Sequence, residues 1–361
     1  MRLVPIVMTA AVAVISRKDS TVVFEEVRRI NIEELPDGDV GRFASSPLIA
    51  GTEGFRVFTG PRTIIQLLAL KASTSGQPQY VPPPSINSRY TLSFPGPYIH
   101  CGDANSTAST ITEGLLEERM DRLQGSTKEL FISYYAFVPG YEYFPNGSYR
   151  IVALDRPRVQ LPVNATNELW ITYMKSQMAQ DGNITSARRH FTVCKLHKAN
   201  YTITLEYENG IQSVVENNLV VDPEPIPYPD SDPSKTDMVQ HSYSAIMWAI
   251  SDVLVGSMSL SQDMSTGVKL GFIDTRIAHT SLLGSNDLDH FFWYNKRNMN
   301  PSETNFRLKP QRLQDKGFAR NETLDVLIPE LSRNVTYSLA INPILTYETF
   351  PIPNLYLTNS P

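Results

Sequence analysis

The histidines and serines of this sequence do not stand at the spacings that catalytic motifs require. None of the six histidines is followed by glutamate, so the zinc-hydrolase motif H-E-x-x-H is absent. No serine lies in a G-x-S-x-G turn, which excludes a nucleophile elbow of the esterase type. The chain also has no Gly-rich phosphate loop, C-x-x-C pair or EF-hand loop. We therefore predict no catalytic, cofactor-binding or metal-binding residue from motifs, and we expect no cofactor.

Two acidic clusters have the composition of a cation site. In the segment Asp287-Leu288-Asp289-His290, alternate residues such as Asp287 and Asp289 would share a face if the segment is extended, and Asp37-Gly38-Asp39 places two carboxylates close together. Both patterns are more typical of solvated turns than of cation sites, so we assign no metal ligand. Paired carboxylates for glycoside cleavage need not be close in sequence, and the sequence nominates no such pair.

Aromatic residues form a third group with possible chemistry. Such rings stack on sugars, pack against lipid, or fill a core when they recur at strand spacing. The clusters are Tyr134-Tyr135, Tyr141, Tyr143, Phe144 and residues 291–294.

The chain has two cysteines, Cys101 and Cys194. In an oxidising compartment they would form one disulfide, whereas two buried free thiols fit the same count. Seven Asn-x-Ser/Thr triplets favour the first alternative, because this number is about twice the chance expectation and such triplets accept N-glycans. The predicted glycosylation sites are Asn105, Asn146, Asn164, Asn183, Asn200, Asn321 and Asn334.

The composition limits the class of protein. The 361 residues carry 32 Lys and Arg against 37 Asp and Glu, and the net charge of −5 excludes an electrostatic nucleic-acid binder. Hydrophobic residues make up 41% of the chain, which is enough to bury a sizeable core. Charged residues make up 19%, below the roughly 25% of an average soluble domain.

The N-terminal segment resembles a secretory signal. Residues 3–15 are mostly apolar, follow Arg2 and precede a polar stretch, with Ala11 and Ala13 spaced for a signal peptidase. A helix of 13 residues spans only about 20 Å of the roughly 30 Å bilayer core. We predict that residues 1–20 are a signal peptide or a residual membrane segment; the alternative is a buried strand or helix.

The predicted secondary structure changes along the chain. From residue 55 to residue 219 apolar residues alternate with polar ones, which predicts short antiparallel strands packed as a sandwich or barrel. The clearest hairpin covers residues 200–215, where Asn209-Gly210 suits a type I′ turn and Asn200 falls on the polar face.

Helical spacing replaces this alternation after residue 236. Residues 243–258 predict an amphipathic helix with Asp237 and Gln240 placed as a capping box, and residues 329–340 predict a second helix with Pro329 in its first turn. A weaker helical pattern covers residues 112–123.

We predict an α+β fold, mainly antiparallel β, with two or three helices packed in the C-terminal half. The predicted divisions are 21–221 for the β-rich part, 222–236 for a Pro-rich loop and 237–361 for the helical part.

Several segments together resemble one known family. They are residues 60–78, 85–101 (SINSRYTLSFPGPYIHC), 193–214 (VCKLHKANYTITLEYENGIQSV), 244–258 and 329–341 (PELSRNVTYSLAI). In this order they are similar, over roughly residues 56–350, to a group of filamentous-fungal polytopic membrane glycoproteins with an extracellular domain between transmembrane segments. The resemblance implies a glycosylated ectodomain outside the plasma membrane, tethered through segments lacking here or secreted freely. It implies no catalytic residue.

These observations predict a non-enzymatic role at the cell surface, such as binding a wall polysaccharide or a neighbouring membrane protein. The alternative is a secreted hydrolase that acts on cell-wall polysaccharide. Binding predicts no cleft with convergent acids and an apolar or aromatic patch free of glycosylation triplets. Hydrolysis predicts two carboxyl groups about 5–10 Å apart in an aromatic-lined groove. A third hypothesis, a cytosolic protein with accidental triplets, predicts that both cysteines are reduced.

Overall fold

A computed structural model describes most of the chain. The described residues are 11–17, 20–27, 44–45, 58–81, 86–124, 130–156, 164–178, 184–230, 237–263, 267–288 and 316–341. The segments 37–39 and 289–294, Asn183, and much of the Pro-rich loop (231–236) lie outside them.

The described strands and helices alternate along the chain. The strands are β1 (Ala11–Arg17), β2 (Ser20–Val27), β3 (Ala44–Ser45), β4 (Gly60–Pro61), β5 (Ser88–Asp103), β6 (Leu130–Tyr143), β7 (Tyr149–Leu154), β8 (Glu168–Met178), β9 (Ile184–Glu208), β10 (Ile211–Pro225), β11 (Gly256–Asp263) and β12 (Gly267–Ile273). The helices are α1 (Thr63–Ser75), α2 (Ser106–Gln124), α3 (Met238–Leu254) and α4 (Leu324–Ile341), with 3₁₀ turns at Ile277–His279 and Ser281–Gly284.

Eight strands form one antiparallel sheet around the long strand β9. One side of β9 pairs with β5, and its other side pairs first with β8 and then with β10. The sheet continues through β6, β11 and β12, and β7 pairs with the outer end of β6. The predicted α+β class is confirmed. Helices α1 and α2 lie in the N-terminal half, so the helices are not confined to the C-terminal half.

The hairpin between β9 and β10 has the predicted geometry. Asn209 and Gly210 form its turn with φ angles of 53° and 79°, as a type I′ turn requires. Tyr201 and Leu205 are buried, whereas Asn200 is exposed. The alternation of the sequence therefore identified both faces of this hairpin.

Helix α3 lies at the centre of the main core. Asp237 caps it by accepting hydrogen bonds from the backbone N–H groups of Val239 (2.9 Å) and Gln240 (3.2 Å). The predicted amphipathic helix is buried on every side from residue 241 to 254, because α1, α4 and the sheet surround it. The polar residues of this helix can be buried because their side chains are hydrogen-bonded; the Ser251 hydroxyl group, for example, donates to a backbone carbonyl one turn earlier. The helix ends at Leu254, before the predicted end at residue 258, since Met258 pairs in β11.

The opposite face of the sheet is covered by α2. Leu115 and Leu116 of this helix pack with Tyr135 and Phe137 of β6. Arg119, which is almost fully buried, bridges Asp155 (3.1 Å) and Asp274 (3.0 Å). Residues 132–140 of β6 are therefore buried, which explains the aromatic residues in this part of the strand.

The first two strands form a separate hairpin. β1 pairs with β2 in antiparallel register, from Arg17 opposite Ser20 to Ala11 opposite Val27. The signal-peptide prediction for residues 1–20 remains a prediction. Among the helices of the described residues, none has both the length and the apolar composition to span a bilayer.

Candidate functional site

The two cysteines form the predicted disulfide. Cys101 of β5 stands directly opposite Cys194 of β9, with Cα atoms 4.0 Å apart. Both side chains point into the main core, and Cys194 is completely buried. The bond is consistent with an oxidising, extracellular environment.

The acidic cluster around Asp287 has a structural role in the described residues. The Asp287 side chain is buried and accepts a hydrogen bond from the Leu324 N–H (2.8 Å), so it caps the N-terminus of α4. Burial raises the pKa of this carboxyl group, and Lys175, 3.7 Å away, opposes the rise. Asp37, Asp39, Asp289 and His290 lie outside the described residues. Within the described part of the chain, no group of three or more histidines, cysteines or acids is placed to hold a metal ion.

A cleft of about 680 Å³ separates α4 from β10. Its two acidic residues are both paired: Glu216 with Arg333 (3.3 Å), and Glu330 with Arg320. Tyr337 also donates a hydrogen bond to Glu216. A glycosidase needs one protonated and one ionised carboxyl group directed at the same bond. Two carboxylates held by separate arginines do not provide that arrangement.

The outer part of the β6–β7 hairpin carries a cluster of three tyrosines, here called the tyrosine patch: Tyr141, Tyr143 and Tyr149. The side chains of Tyr143 and Tyr149 are 59% and 58% exposed. The Tyr141 ring lies 5.3 Å from that of Tyr149 and 6.3 Å from that of Tyr143, and the last two are 6.0 Å apart. The three rings therefore form one contiguous surface.

Strand pairing places the patch on one face of the hairpin. Tyr143 is opposite Tyr149, whereas Glu142 is opposite Arg150. Successive residues point to opposite faces, so the Glu142–Arg150 ion pair (2.5 Å) lies on the other face. The patch itself consists of neutral rings. Partial burial raises the pKa of Tyr141, so its hydroxyl group remains a neutral hydrogen-bonding group at neutral pH.

The body of the protein holds the base of this hairpin in place. The Tyr141 N–H donates to the Asn164 carbonyl (2.8 Å), and the Thr166 hydroxyl donates to the Pro139 carbonyl (2.9 Å). Closer to the core, Tyr135 donates to the buried Asp155 (3.1 Å). The hairpin is thus fixed where it leaves the sheet and presents its rings at the far end.

The aromatic clusters named from the sequence have separate roles. Tyr134 and Tyr135 are fully buried core residues, whereas Tyr141, Tyr143 and Phe144 lie on the exposed hairpin. Residues 291–294 lie outside the described part. The sequence prediction did not include Tyr149, although a three-residue loop at Pro145-Asn146-Gly147 places Tyr149 opposite Tyr143.

Most of the glycosylation triplets are accessible. The side chains of Asn105, Asn146, Asn164, Asn200 and Asn321 are exposed. Asn334 differs: it is 6% exposed, and its Nδ2 donates to the Gly76 carbonyl (3.2 Å). A glycan requires Nδ2 to reach solvent, so the folded structure disfavours this triplet as a modification site. Asn146 and Asn164 both lie near the tyrosine patch. The patch therefore does not meet the expectation that a binding surface is free of glycosylation triplets.

Comparisons with protein-family models, with curated proteins and with solved structures find no match to this chain. Its function is therefore inferred from the geometry of the tyrosine patch, the cleft and the disulfide.

Proposed function

We propose that this protein is a non-catalytic, extracellular carbohydrate-binding glycoprotein, and that the tyrosine patch binds a neutral polysaccharide of the cell wall. The observation that carries the proposal is the contact of two exposed tyrosine rings, Tyr143 and Tyr149, with the half-buried ring of Tyr141 on one face of the hairpin. Its location outside the plasma membrane of a fungal cell follows the family resemblance and is part of the proposal.

The chemistry of tyrosine suits this ligand. The faces of pyranose rings present C–H groups that pack on aromatic rings, while their hydroxyl groups need hydrogen-bonding partners. Tyrosine provides an apolar face and a polar edge, and only two side-chain torsions are fixed on binding. The rings are in contact before any ligand arrives, which reduces the entropy lost on binding.

The absence of charge on the patch favours a neutral ligand. Its three members are uncharged, and Glu142 and Arg150 neutralise each other on the opposite face. The nearby Glu168, whose charge acts on Tyr141, is paired with Lys195 (3.1 Å). An acidic polymer would require basic residues, and a membrane surface would favour lysine and arginine around the rings. A neutral glucan or chitin fits the patch better than either.

The secreted hydrolase remains the alternative, and the cleft between α4 and β10 is one place where it could act. Both of the acids that line the cleft are held by arginines, so the observed pairing favours binding over hydrolysis. We therefore assign no catalytic residue.

The proposal is tested by co-sedimentation of the purified glycoprotein with insoluble β-1,3-glucan, chitin and cellulose. We expect the protein to bind at least one of them, and a Tyr143→Ala/Tyr149→Ala variant to bind at least about tenfold more weakly, which corresponds to roughly 1.4 kcal/mol. The matched control is Phe318→Ala, which removes an aromatic ring with 61% exposure elsewhere on the surface. Equal binding by the tyrosine variant and the wild-type protein, or no binding to any neutral polysaccharide, would contradict the proposal.

A further inference from the structure

The turn that joins β6 to β7 has a defined hydrogen-bonding pattern. The Gly147 N–H donates to the Phe144 carbonyl (2.9 Å), and the Phe144 N–H donates to the Ser148 carbonyl (2.8 Å). Gly147 has a φ angle of 82°, which glycine adopts without strain. Pro145 stands at the second position, where its ring suits a type I turn. The loop is therefore a type I turn followed by a glycine bulge.

This turn places Phe144, Asn146 and Ser148 on the same face of the hairpin. Phe144 lies two positions after Glu142, and Ser148 lies two positions before Arg150, so both lie on the face opposite the tyrosine patch. The Asn146 side chain is directed toward Ser148, because its Oδ1 accepts hydrogen bonds from the Ser148 N–H (3.0 Å) and hydroxyl group (2.7 Å).

The atom that would carry a glycan is left available. Both hydrogen bonds to the Asn146 side chain use Oδ1, and no bond to its Nδ2 is present among the described residues. Nearby, the Phe144 ring is 41% exposed. An exposed aromatic ring beside an exposed glycosylation triplet places an apolar surface where the first sugar would lie.

We propose that Asn146 carries an N-glycan whose first N-acetylglucosamine packs on the ring of Phe144. The modification forms a bond from Nδ2 to the anomeric carbon of a lipid-pyrophosphate sugar donor. It breaks the donor's bond between that carbon and the pyrophosphate oxygen, and one amide proton is released. The sugar is tethered two residues from the ring, so stacking costs no loss of translational freedom.

The arrangement has a consequence for the hairpin. A glycan on the Phe144 face stabilises the turn and covers an apolar ring, while the tyrosine patch on the opposite face stays open. This inference concerns the modification of the turn and does not depend on polysaccharide binding by the patch.

The first test is a double-mutant cycle on the full chain secreted from a eukaryotic host. The four proteins are the wild type, Asn146→Gln, Phe144→Ala and the double variant, each trimmed with an endoglycosidase that leaves one N-acetylglucosamine per site. We expect Asn146→Gln to lower the melting temperature by about 1–3 °C more in the presence of Phe144 than in its absence. The hydrogen bonds from Ser148 are lost in both comparisons, so their contribution cancels.

The second test detects the contact directly. The N-acetyl groups of the trimmed protein are labelled with ¹³C, and the methyl resonance of the Asn146 sugar is assigned with Asn146→Gln. We expect an upfield ring-current shift that disappears in Phe144→Ala. The matched control is the sugar on Asn200, an exposed site on β9, whose resonance should not respond to Phe144→Ala.

Two results would overturn the inference. One is an unmodified Asn146 in a protein that carries glycans at other sites, measured by glycopeptide mass spectrometry. The other is a glycan on Asn146 with equal melting losses in both halves of the cycle and no ring-current shift. Polysaccharide co-sedimentation of Phe144→Ala is a separate measurement, so failure of the tyrosine-patch proposal would be distinguishable from failure of this one.

Discussion

Asp287 is a single buried residue that begins a helix distant from it in the chain. Its Oδ2 accepts the Leu324 N–H at the N-terminus of α4, where the helix dipole favours a negative charge. Burial has the larger effect and raises the pKa of the carboxyl group above its usual 3.8. Lys175 and the hydroxyl group of Tyr173 favour the ionised form, whereas nearby Asp325 opposes it.

This raised pKa predicts a pH dependence of stability. The folded state holds the proton more tightly than the unfolded state, so the stabilisation from protonation is complete below the unfolded pKa and is lost as the pH rises through the folded pKa. We expect the wild type to lose free energy of unfolding relative to Asp287→Asn as the pH increases from about 4 toward neutrality, by roughly 1.4 kcal/mol per unit of pKa elevation.

Urea denaturation of both proteins at several pH values measures this difference. The control is Asp121→Asn, which removes an exposed carboxylate from α2, away from Asp287. Parallel stability curves for the wild type and Asp287→Asn would show that Asp287 titrates alike in the folded and unfolded states.

At the level of elements, helix α4 crosses β5 at very close range near Gly96. A Cβ atom at this glycine would lie 2.5 Å from Cγ2 of Thr336 and 3.3 Å from the ring of Tyr201. Both neighbours are held in place, since the hydroxyl groups of Thr336 and Tyr201 donate to the Pro97 carbonyl at 2.9 and 2.7 Å. The contact between helix and strand therefore requires glycine here.

We expect Gly96→Ala to lower the free energy of unfolding by about 1–3 kcal/mol, because the added methyl group must displace two anchored side chains. The same strand contains a matched control, Gly102, around which no atom lies within 4 Å of the added Cβ. Gly102→Ala should be neutral or stabilise by up to about 1 kcal/mol, since alanine loses less backbone entropy. Equal effects of the two substitutions in denaturant titrations would contradict this account of the packing.

At the scale of the whole molecule, the disulfide joins two strands that are 93 residues apart in sequence. Such a bond restricts the unfolded chain, and a loop of this length corresponds to about 4–5 kcal/mol in the chain-entropy treatment. We expect the Cys101→Ala/Cys194→Ala variant to be less stable than the oxidised protein by a comparable amount in urea titrations. Reducing agent should destabilise the wild type and leave the double variant unchanged. Two thiols reactive in denaturant without reductant would show that the bond does not form in the native protein.

The accessibility of each glycosylation triplet also depends on how the whole molecule packs around it. We expect glycopeptide mapping of the folded, secreted protein to find Asn334 unmodified, because its side chain is buried against the Gly76 carbonyl. Asn200, exposed on β9, is the positive control. Similar occupancy at Asn334 and Asn200 would mean that α4 packs differently from the structure described here.

Features that depend on neighbouring residues were predictable from the sequence. The turn at Asn209-Gly210 and the Asp237 cap of α3 are local, because turn conformation and helix capping depend on residues within a few positions. The start of α4 was predicted at residue 329, whereas the helix begins at Leu324. Its cap comes from Asp287, 37 positions earlier, and no local pattern signals such a contact.

Sequence alone determined the α+β class, the faces of the β9–β10 hairpin and the absence of catalytic motifs, since each follows from periodicity or from residues close together in the chain. Only the tertiary structure separated buried Tyr134 from exposed Tyr143, although both belong to the same aromatic strand. Burial depends on which other elements cover each end of β6: helices cover its inner end on both faces, and its outer end projects beyond them. The same reason explains why Asn146 is exposed and Asn334 is buried, since the two triplets are alike in sequence and differ in what packs around them.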